Sequence, residues 1–267
     1  VGDDRLFDLT GRHAVVTGAA GLLGRQFADA LAAQGATVHL LDLAADAVEE
    51  VAADIATRSP VPPEWIPVDV TDEDGVCAAI ERVGRVDILV NSAAIDPKFE
   101  PGQPRNGHLS TYPLDRWNAS LNVNLTGVFL TTRECCRNME PRGEGVIVNI
   151  SSTYGLVGPD QRIYVTEGGD EFFKPVDYSV TKAGLLGFTR AVAAMYRGTG
   201  IRVNALSPGG AHNGQDEEFV RNYSARTILD RMAQPSDYRG AIVFLCSDAS
   251  RYMTGANLVV DGGWTAL

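Results

Sequence analysis

Basic residues are in short supply: the 267-residue sequence holds 23 Lys and Arg against 34 Asp and Glu, a formal net charge of −11. Phosphate backbones and anionic lipid surfaces require cationic clusters, so neither nucleic acid nor membrane is an expected partner. Cysteine is scarce as well. Cys77, Cys135, Cys136 and Cys246 form no C-x-x-C pair and are predicted to be reduced, buried or half-buried thiols. His13, His39, His108 and His212 are scattered without ligand spacing, so no metal site is expected. No apolar run approaches the roughly 18 residues of a membrane helix, and the opening residues lack the basic-then-apolar order of an export signal. A soluble, cytoplasmic protein is the expectation. Apolar residues at 45% and charged residues at 21% speak for a folded chain, and the length suits one α/β domain better than two.

Short apolar runs alternate with longer segments of helical period. Strands are expected at His13–Thr17, Thr37–Asp42, Trp65–Val70, Val86–Asn91, Gly145–Ser151, Ile201–Leu206 and Asn257–Val260. Helices are expected at Leu22–Gln34, Ala45–Thr57, from Thr71 or Asp72 to Val83, Asp115–Asn138, Asp177–Arg197 and Pro235–Ser247. Right-handed crossovers between that many parallel strands predict a three-layer Rossmann fold, a doubly wound parallel sheet of about seven strands with helices on both faces. Irregular stretches at 96–113, 156–176 and 211–227 fall where substrate loops would lie.

Directly after the first strand comes Thr17-Gly18-Ala19-Ala20-Gly21-Leu22-Leu23-Gly24, with glycines every third residue. Such a turn lets a pyrophosphate approach the backbone and the N-terminus of the following helix. Asp42 ends the next strand 18 residues beyond Gly24, where a carboxylate would accept both adenosine ribose hydroxyls. An acid there repels a 2′-phosphate, and residues 18–24 and 43–57 contain no Lys or Arg to offset it. NAD is therefore expected over NADP, with Asp69 placed for the adenine edge. The plainer readings are tight-turn glycines and solvated strand-end acids.

Tyr178 and Lys182, four residues apart, share a helix face. A nearby ammonium, with an oxidised nicotinamide, would lower a phenol pKa toward working pH and let the Tyr exchange a proton with an alcohol oxygen. Ser151 and Ser152, at the carboxyl edge of the fifth strand, offer a hydroxyl to hold that oxygen.

With these pieces in order, the chain resembles the short-chain dehydrogenase/reductase family from about Leu9 to Thr265. The resemblance includes Asn91-Ser92-Ala93-Ala94, Asn124 within Asn122-Val123-Asn124-Leu125-Thr126-Gly127, Ser207-Pro208-Gly209-Gly210, and Thr254-Gly255 to Asp261-Gly262-Gly263. It implies Tyr178 as acid/base, Lys182 as the group that lowers its pKa and binds the nicotinamide ribose, and Ser152 as donor to the carbonyl oxygen, with Ser151 the alternative. It implies that Asn124 holds a water linking Lys182 to solvent. It also implies a dinucleotide lined by Gly18, Gly21, Leu22, Leu23, Gly24, Asp42, Leu43, Asp69, Val70, Asn91, Ala93 and Ala94. Pro208, Gly209 and Gly210 would lie at the nicotinamide end, and a homo-oligomer, dimer or tetramer, is expected.

Three departures stand out. The turn has T-G-x-x-G-x-x-G spacing, as in the longer epimerase/dehydratase branch. Asn213 stands where a Thr often binds the carboxamide. Ser152 and Tyr178 lie 26 residues apart, about twice the usual family spacing, with Val157–Lys174 inserted between them. Either that insertion is an inert surface loop, or Tyr154, Gln161, Tyr164 and Glu167 line a polar pocket for a sugar or polyol derivative. The expected activity is NAD-dependent interconversion of an alcohol and a ketone. The alternatives are a nucleotide-sugar epimerase or dehydratase that oxidises transiently with no net redox change, and a catalytically silent nucleotide-binding protein.

Overall fold

The computed structural model describes residues 5–96, 107–164 and 172–267. Seven strands form one sheet: β1 (His13–Thr17), β2 (Thr37–Asp42), β3 (Glu64–Pro67), β4 (Ile88–Asn91), β5 (Glu144–Ile150), β6 (Gly200–Pro208) and β7 (Asn257–Val260). The spatial order is β3-β2-β1-β4-β5-β6-β7, every pairing parallel. A parallel sheet needs both faces covered, and period-two alternation supplies both. In β1, Ala14 and Val16 pack into one core with Phe27, Leu31, Val48 and Ile242, while Val15 packs into the other with Val76, Ile80, Cys135 and Val203. The order reverses between β1 and β4, which opens a crevice at the carboxyl edge of the sheet.

The helices are α1 (Gly24–Ala33), α2 (Ala45–Ala56), α3 (Glu73–Val83), α4 (Leu114–Leu121), α5 (Val128–Met139), α6 (Val176–Met195), α7 (Glu217–Ser224) and α8 (Arg239–Cys246). Most coincide with the periodic segments, but four differences have physical causes. β3 stops at Pro67 because Asp69 folds into a turn, accepting from the Thr71 N–H and hydroxyl at 2.9 and 2.8 Å. The single helix expected over 115–138 is divided by a π-helical turn at Asn122–Gly127, where the ladder admits an extra residue. The segment from Pro235 opens as a 3-10 turn before α8. The unforeseen α7 starts at Asp216, whose side chain accepts from the Phe219 N–H at 2.8 Å.

The four cysteines are free, with Cys135, Cys136 and Cys246 buried and Cys77 half-buried. Among the described residues, no group of three or more His, Cys, Asp or Glu converges as a metal site, and no helix is long and apolar enough to cross a membrane.

A buried polar network ties the sheet to its helices behind the crevice. Asn91 donates to Thr132 Oγ1 at 3.0 Å and to Asn149 Oδ1 at 2.9 Å, and accepts from Thr131 Oγ1 at 2.7 Å. Asn149 in turn donates to Thr189 Oγ1 at 3.0 Å. The network thus runs from α5 through β4 and β5 to α6. Because an interior donor or acceptor stripped of its partner carries its whole desolvation cost, Asn91→Ala is expected to lower unfolding stability by roughly 2–4 kcal/mol. Urea denaturation checks this, and a loss within error of zero would contradict it.

Candidate active site

The glycine turn is built by crowding. A side chain at Gly18, where φ is +63°, would meet the Ala93 backbone at 2.6 Å, and one at Gly24 would meet the Gly18 carbonyl oxygen at 2.0 Å. Gly21 is looser, with 3.1 Å to the same oxygen. α1 then starts with no side-chain cap and no acid in its first turn, so no side chain compensates the positive end of its dipole. That combination fits the pyrophosphate of a dinucleotide. Asp42 stands beside it, accepting from the Ala20 N–H at 2.9 Å and the Ala44 N–H at 3.0 Å. Arg25, one residue past the glycine turn, curls back to donate to the Ala20 carbonyl at 2.9 Å. A guanidinium therefore shares this corner with the Asp42 carboxylate.

The other residues expected to line the dinucleotide divide by role. Leu22 and Leu23 are half-buried at the start of α1, and Leu43 is exposed just beyond Asp42. Asp69 is exposed and engaged in its own turn, while Val70 is buried against Gly127, where an added side chain would meet it at 2.7 Å. The Asn91 side chain is consumed by the interior network. What faces the Gly18 turn is the segment after it, where the Ser92 and Ala93 N–H groups donate to Thr17 Oγ1 at 3.1 and 3.2 Å, and Ala94 is exposed. Pro208 is buried at the end of β6. Gly209 and Gly210 owe their missing side chains to internal packing: added Cβ atoms would meet Asp261 at 2.8 Å and the Tyr223 ring at 2.6 Å. They border a cavity of about 240 Å³ shared with Tyr223, Tyr238 and Asp261. Asn213 is exposed.

Ser152, Tyr178 and Lys182 converge at the carboxyl end of β5. Ser151 turns inward, donating to the Lys182 carbonyl at 2.7 Å. Ser152 accepts from the Tyr154 N–H at 3.1 Å, and its hydroxyl acts on the Tyr178 phenol to lower its pKa. The geometry favours Ser152 over Ser151. Gly155 lies so close behind α6 that a side chain there would meet the Lys182 backbone at 2.7 Å. Lys182 is 4% exposed; its ammonium donates to the Ile150 carbonyl at 2.8 Å and lies 5.7 Å from the centre of the Tyr178 ring.

With its described neighbours alone, the Tyr178 phenol is pushed up by burial and by the Asp96 carboxylate, while Ser152 acts to lower it; the lowering expected of Lys182 concerns the complex with an oxidised nicotinamide. The Asn124 side chain accepts from the Ile95 N–H at 2.7 Å and donates to the Ile95 carbonyl at 3.0 Å and to Thr181 Oγ1 at 3.1 Å. Its amide thus clamps the segment after β4 to α6. Its location in the π-helical turn is not visible from residue types.

The insertion folds over this group. Tyr154 and Tyr164 share a hydrogen bond between their hydroxyls at 3.0 Å. Burial raises both pKa values. The two tyrosines belong to an aromatic cluster with Tyr223, Trp264, Phe219 and Tyr178. Gln161 does not face the crevice with its amide. It grips the backbone of Lys174 from both sides, donating to the carbonyl at 3.2 Å and accepting from the N–H at 2.9 Å. Glu167 lies outside the described residues.

Lys182 makes the site sensitive to pH. Desolvation lowers its ammonium from 10.5 to about 8. Between those values the unfolded chain holds the proton that the native chain has lost, so this residue's contribution to stability rises with pH across that window. The stability of wild type relative to Lys182→Met should therefore increase by on the order of 2 kcal/mol from pH 8 to 10. Denaturation at matched pH checks it, and a flat difference would contradict the buried ammonium.

Comparison with known proteins agrees with this geometry. A family model described as enoyl-(acyl carrier protein) reductase matches residues 18–265. The chain is 38% identical to cis-4-hydroxycyclohexanecarboxylate dehydrogenase of Sinomonas cyclohexanicum, over 96% of this chain and 97% of that enzyme. It is 34% identical to D-threitol dehydrogenase of Mycolicibacterium smegmatis, over 97% and 95% of the two chains. The crystal structure of a gluconate 5-dehydrogenase from Burkholderia cenocepacia, in complex with NADP and tartrate, superposes with a TM-score of 0.85 at 30% identity, covering 98% of each chain. With its parallel sheet, glycine turn and Ser, Tyr and Lys gathered at one edge, this chain belongs to the short-chain dehydrogenase/reductase family of oxidoreductases.

Proposed function

We propose that the protein is an NAD-dependent dehydrogenase/reductase that interconverts a secondary alcohol and a ketone on a small hydroxylated molecule, a sugar or polyol derivative. The observation that carries the reading is the gathering of Ser152, Tyr178 and Lys182 at the carboxyl edge of the sheet, with the Lys182 ammonium 5.7 Å from the centre of the Tyr178 ring and bonded to the Ile150 carbonyl. Relatives named for a hydroxycyclohexanecarboxylate, threitol and gluconate support the substrate class. Asp42 beside the glycine turn supports NAD, because its charge disfavours a 2′-phosphate, while the neighbouring Arg25 acts in the opposite direction. Assembly as a dimer or tetramer is part of the same proposal.

When bound, the dinucleotide supplies the hydride acceptor and, in its oxidised form, a positive charge. Gly18, Gly21 and Gly24 with the start of α1 would hold its pyrophosphate, Asp42 its ribose, and Lys182 the second ribose. Ser152 donates a hydrogen bond to the reacting oxygen and keeps it against Tyr178. In oxidation the Tyr178 phenolate takes the hydroxyl proton while the C–H bond yields its electron pair and hydrogen as hydride. One alcohol and one oxidised cofactor thus give one ketone, one reduced cofactor and one proton. Lys182 favours the phenolate by charge, and the surrounding aromatic cluster excludes water from it. In reduction the same phenol returns the proton.

The test is a panel of cis-4-hydroxycyclohexanecarboxylate, D-threitol, D-gluconate and cyclohexanol, run with NAD⁺ and NADP⁺ in parallel. Reduced cofactor should accumulate faster with NAD⁺, and Tyr178→Phe should lower kcat/KM at least 10³-fold on the scale of lost general acid–base catalysis. Turnover that persists in Tyr178→Phe would overturn the reading. Conversion of a nucleotide sugar with no net reduced cofactor would replace it with the epimerase alternative.

A further inference from the structure

Lys174, the last residue of the insertion, is a second buried ammonium at the catalytic tyrosine that the reaction does not use. Its side chain is 9% exposed, and Nζ lies 4.3 Å from the centre of the Tyr178 ring, nearer than the Lys182 ammonium at 5.7 Å. Its placement is built from the backbone, since Gln161 holds both the N–H and the carbonyl of Lys174. An ammonium has three N–H donors. Among the described residues its one hydrogen-bonded acceptor is the carboxylate of Asp96.

That carboxylate is the exposed half of the pair. Asp96 is anchored by its neighbour, Ile95, which Asn124 grips at both N–H and carbonyl, yet its own side chain is 56% exposed. Its charge also reaches Lys182, whose ammonium is disfavoured by the charge of Lys174 and favoured by that of Asp96. Two buried cations therefore share one half-exposed carboxylate. Two neighbouring ammonium groups out of water need anions, and a chain with net charge −11 disfavours anions from solution unless such a local seat exists.

We propose that Lys174 is the specificity-determining residue of this enzyme, binding a carboxylate carried by the substrate in place of the Asp96 side chain. The preferred substrates are then secondary alcohols that bear a carboxylate, hydroxy acids rather than neutral polyols. The exchange is like for like: one carboxylate leaves the ammonium for solvent and another takes its seat. The 4.3 Å between Nζ and the ring places that seat and the reacting hydroxyl within the span of one small molecule. Tyr154 and Tyr164 present their paired hydroxyls in the same aromatic cluster as Tyr178. The inference rests on the redox reading above and narrows it.

The test uses the holoenzyme with its preferred cofactor and two rigid secondary alcohols, 3- and 4-hydroxycyclohexanecarboxylate, each against its own primary carboxamide, with cyclohexanol as the neutral reference. Wild type should favour acid over carboxamide at least tenfold in kcat/KM, chiefly through KM. Lys174→Met should lower that acid-to-amide ratio at least tenfold, Lys174→Arg should keep most of it, and Asp96→Asn should raise it by removing the internal competitor. A ratio unchanged in Lys174→Met, or not raised in Asp96→Asn, overturns the assignment and leaves the pair a structural clasp. Oxidation of cyclohexanol with neither acid turned over sinks this inference alone, whereas reduced cofactor formed from none of these alcohols sinks the redox reading with it.

Discussion

The site depends on keeping a lysine ammonium out of water next to a phenol. Lys182 is held by the Ile150 carbonyl, and desolvation has already brought its proton within easy reach of neutral solution. A cation in that position is costly, and the cost is localised where negative charge forms when Tyr178 surrenders its proton. The phenol taken with its described neighbours is held protonated by burial and by Asp96. The balance between proton and phenolate is thus set by charges that meet at this ring.

Much of the remaining structure serves to hold those two side chains still. α6 carries both, and it is fixed at several points: Gly155 packs against the Lys182 backbone, Ser151 bonds to its carbonyl, Asn124 reaches Thr181, and Asn149 reaches Thr189. Asn91 continues the same polar line into α5. These bonds are interior and saturated, so they set position without touching the reacting atoms. Asp177 adds one more anchor, accepting from the Tyr112 hydroxyl at 3.0 Å and from Ser120 in α4. Rigid strands and helices fix the chemistry, while the insertion and the segment after β4 contribute the groups above it. This division is the one expected where a scaffold is shared and specificity is local.

What was legible in the sequence was whatever has a period or a short spacing. Short apolar runs located the seven strands, the glycine turn announced the first crossover, and the four-residue step from Tyr178 to Lys182 placed both on one face. Side-chain direction was less accessible. Asn124 was recognised but not its grip on Ile95, because nothing local distinguishes a π-helical turn from a continuous helix over 115–138. Gln161 was expected to face substrate, yet an amide in a loop finds the nearest free peptide, here Lys174. Arg25 stands one residue outside the turn, yet its guanidinium reaches back five residues to Ala20. Lys174 is not legible for a different reason: its partner, Asp96, lies 78 residues away, and only the assembled sheet brings them together.

The pH dependence of alcohol oxidation in Lys182→Met against wild type tests the central claim most directly, because the limb of kcat/KM that rises with pH reports the deprotonation of the essential base in the free enzyme, and its saturating counterpart reports the same base in the ternary complex. If the Lys182 ammonium governs the Tyr178 proton, the apparent pKa of that limb in the ternary complex lies below the ordinary phenol value of about 10 in wild type and moves upward in the variant. A limb that stays in place while overall activity falls would contradict that electrostatic role and leave Lys182 only to position other groups.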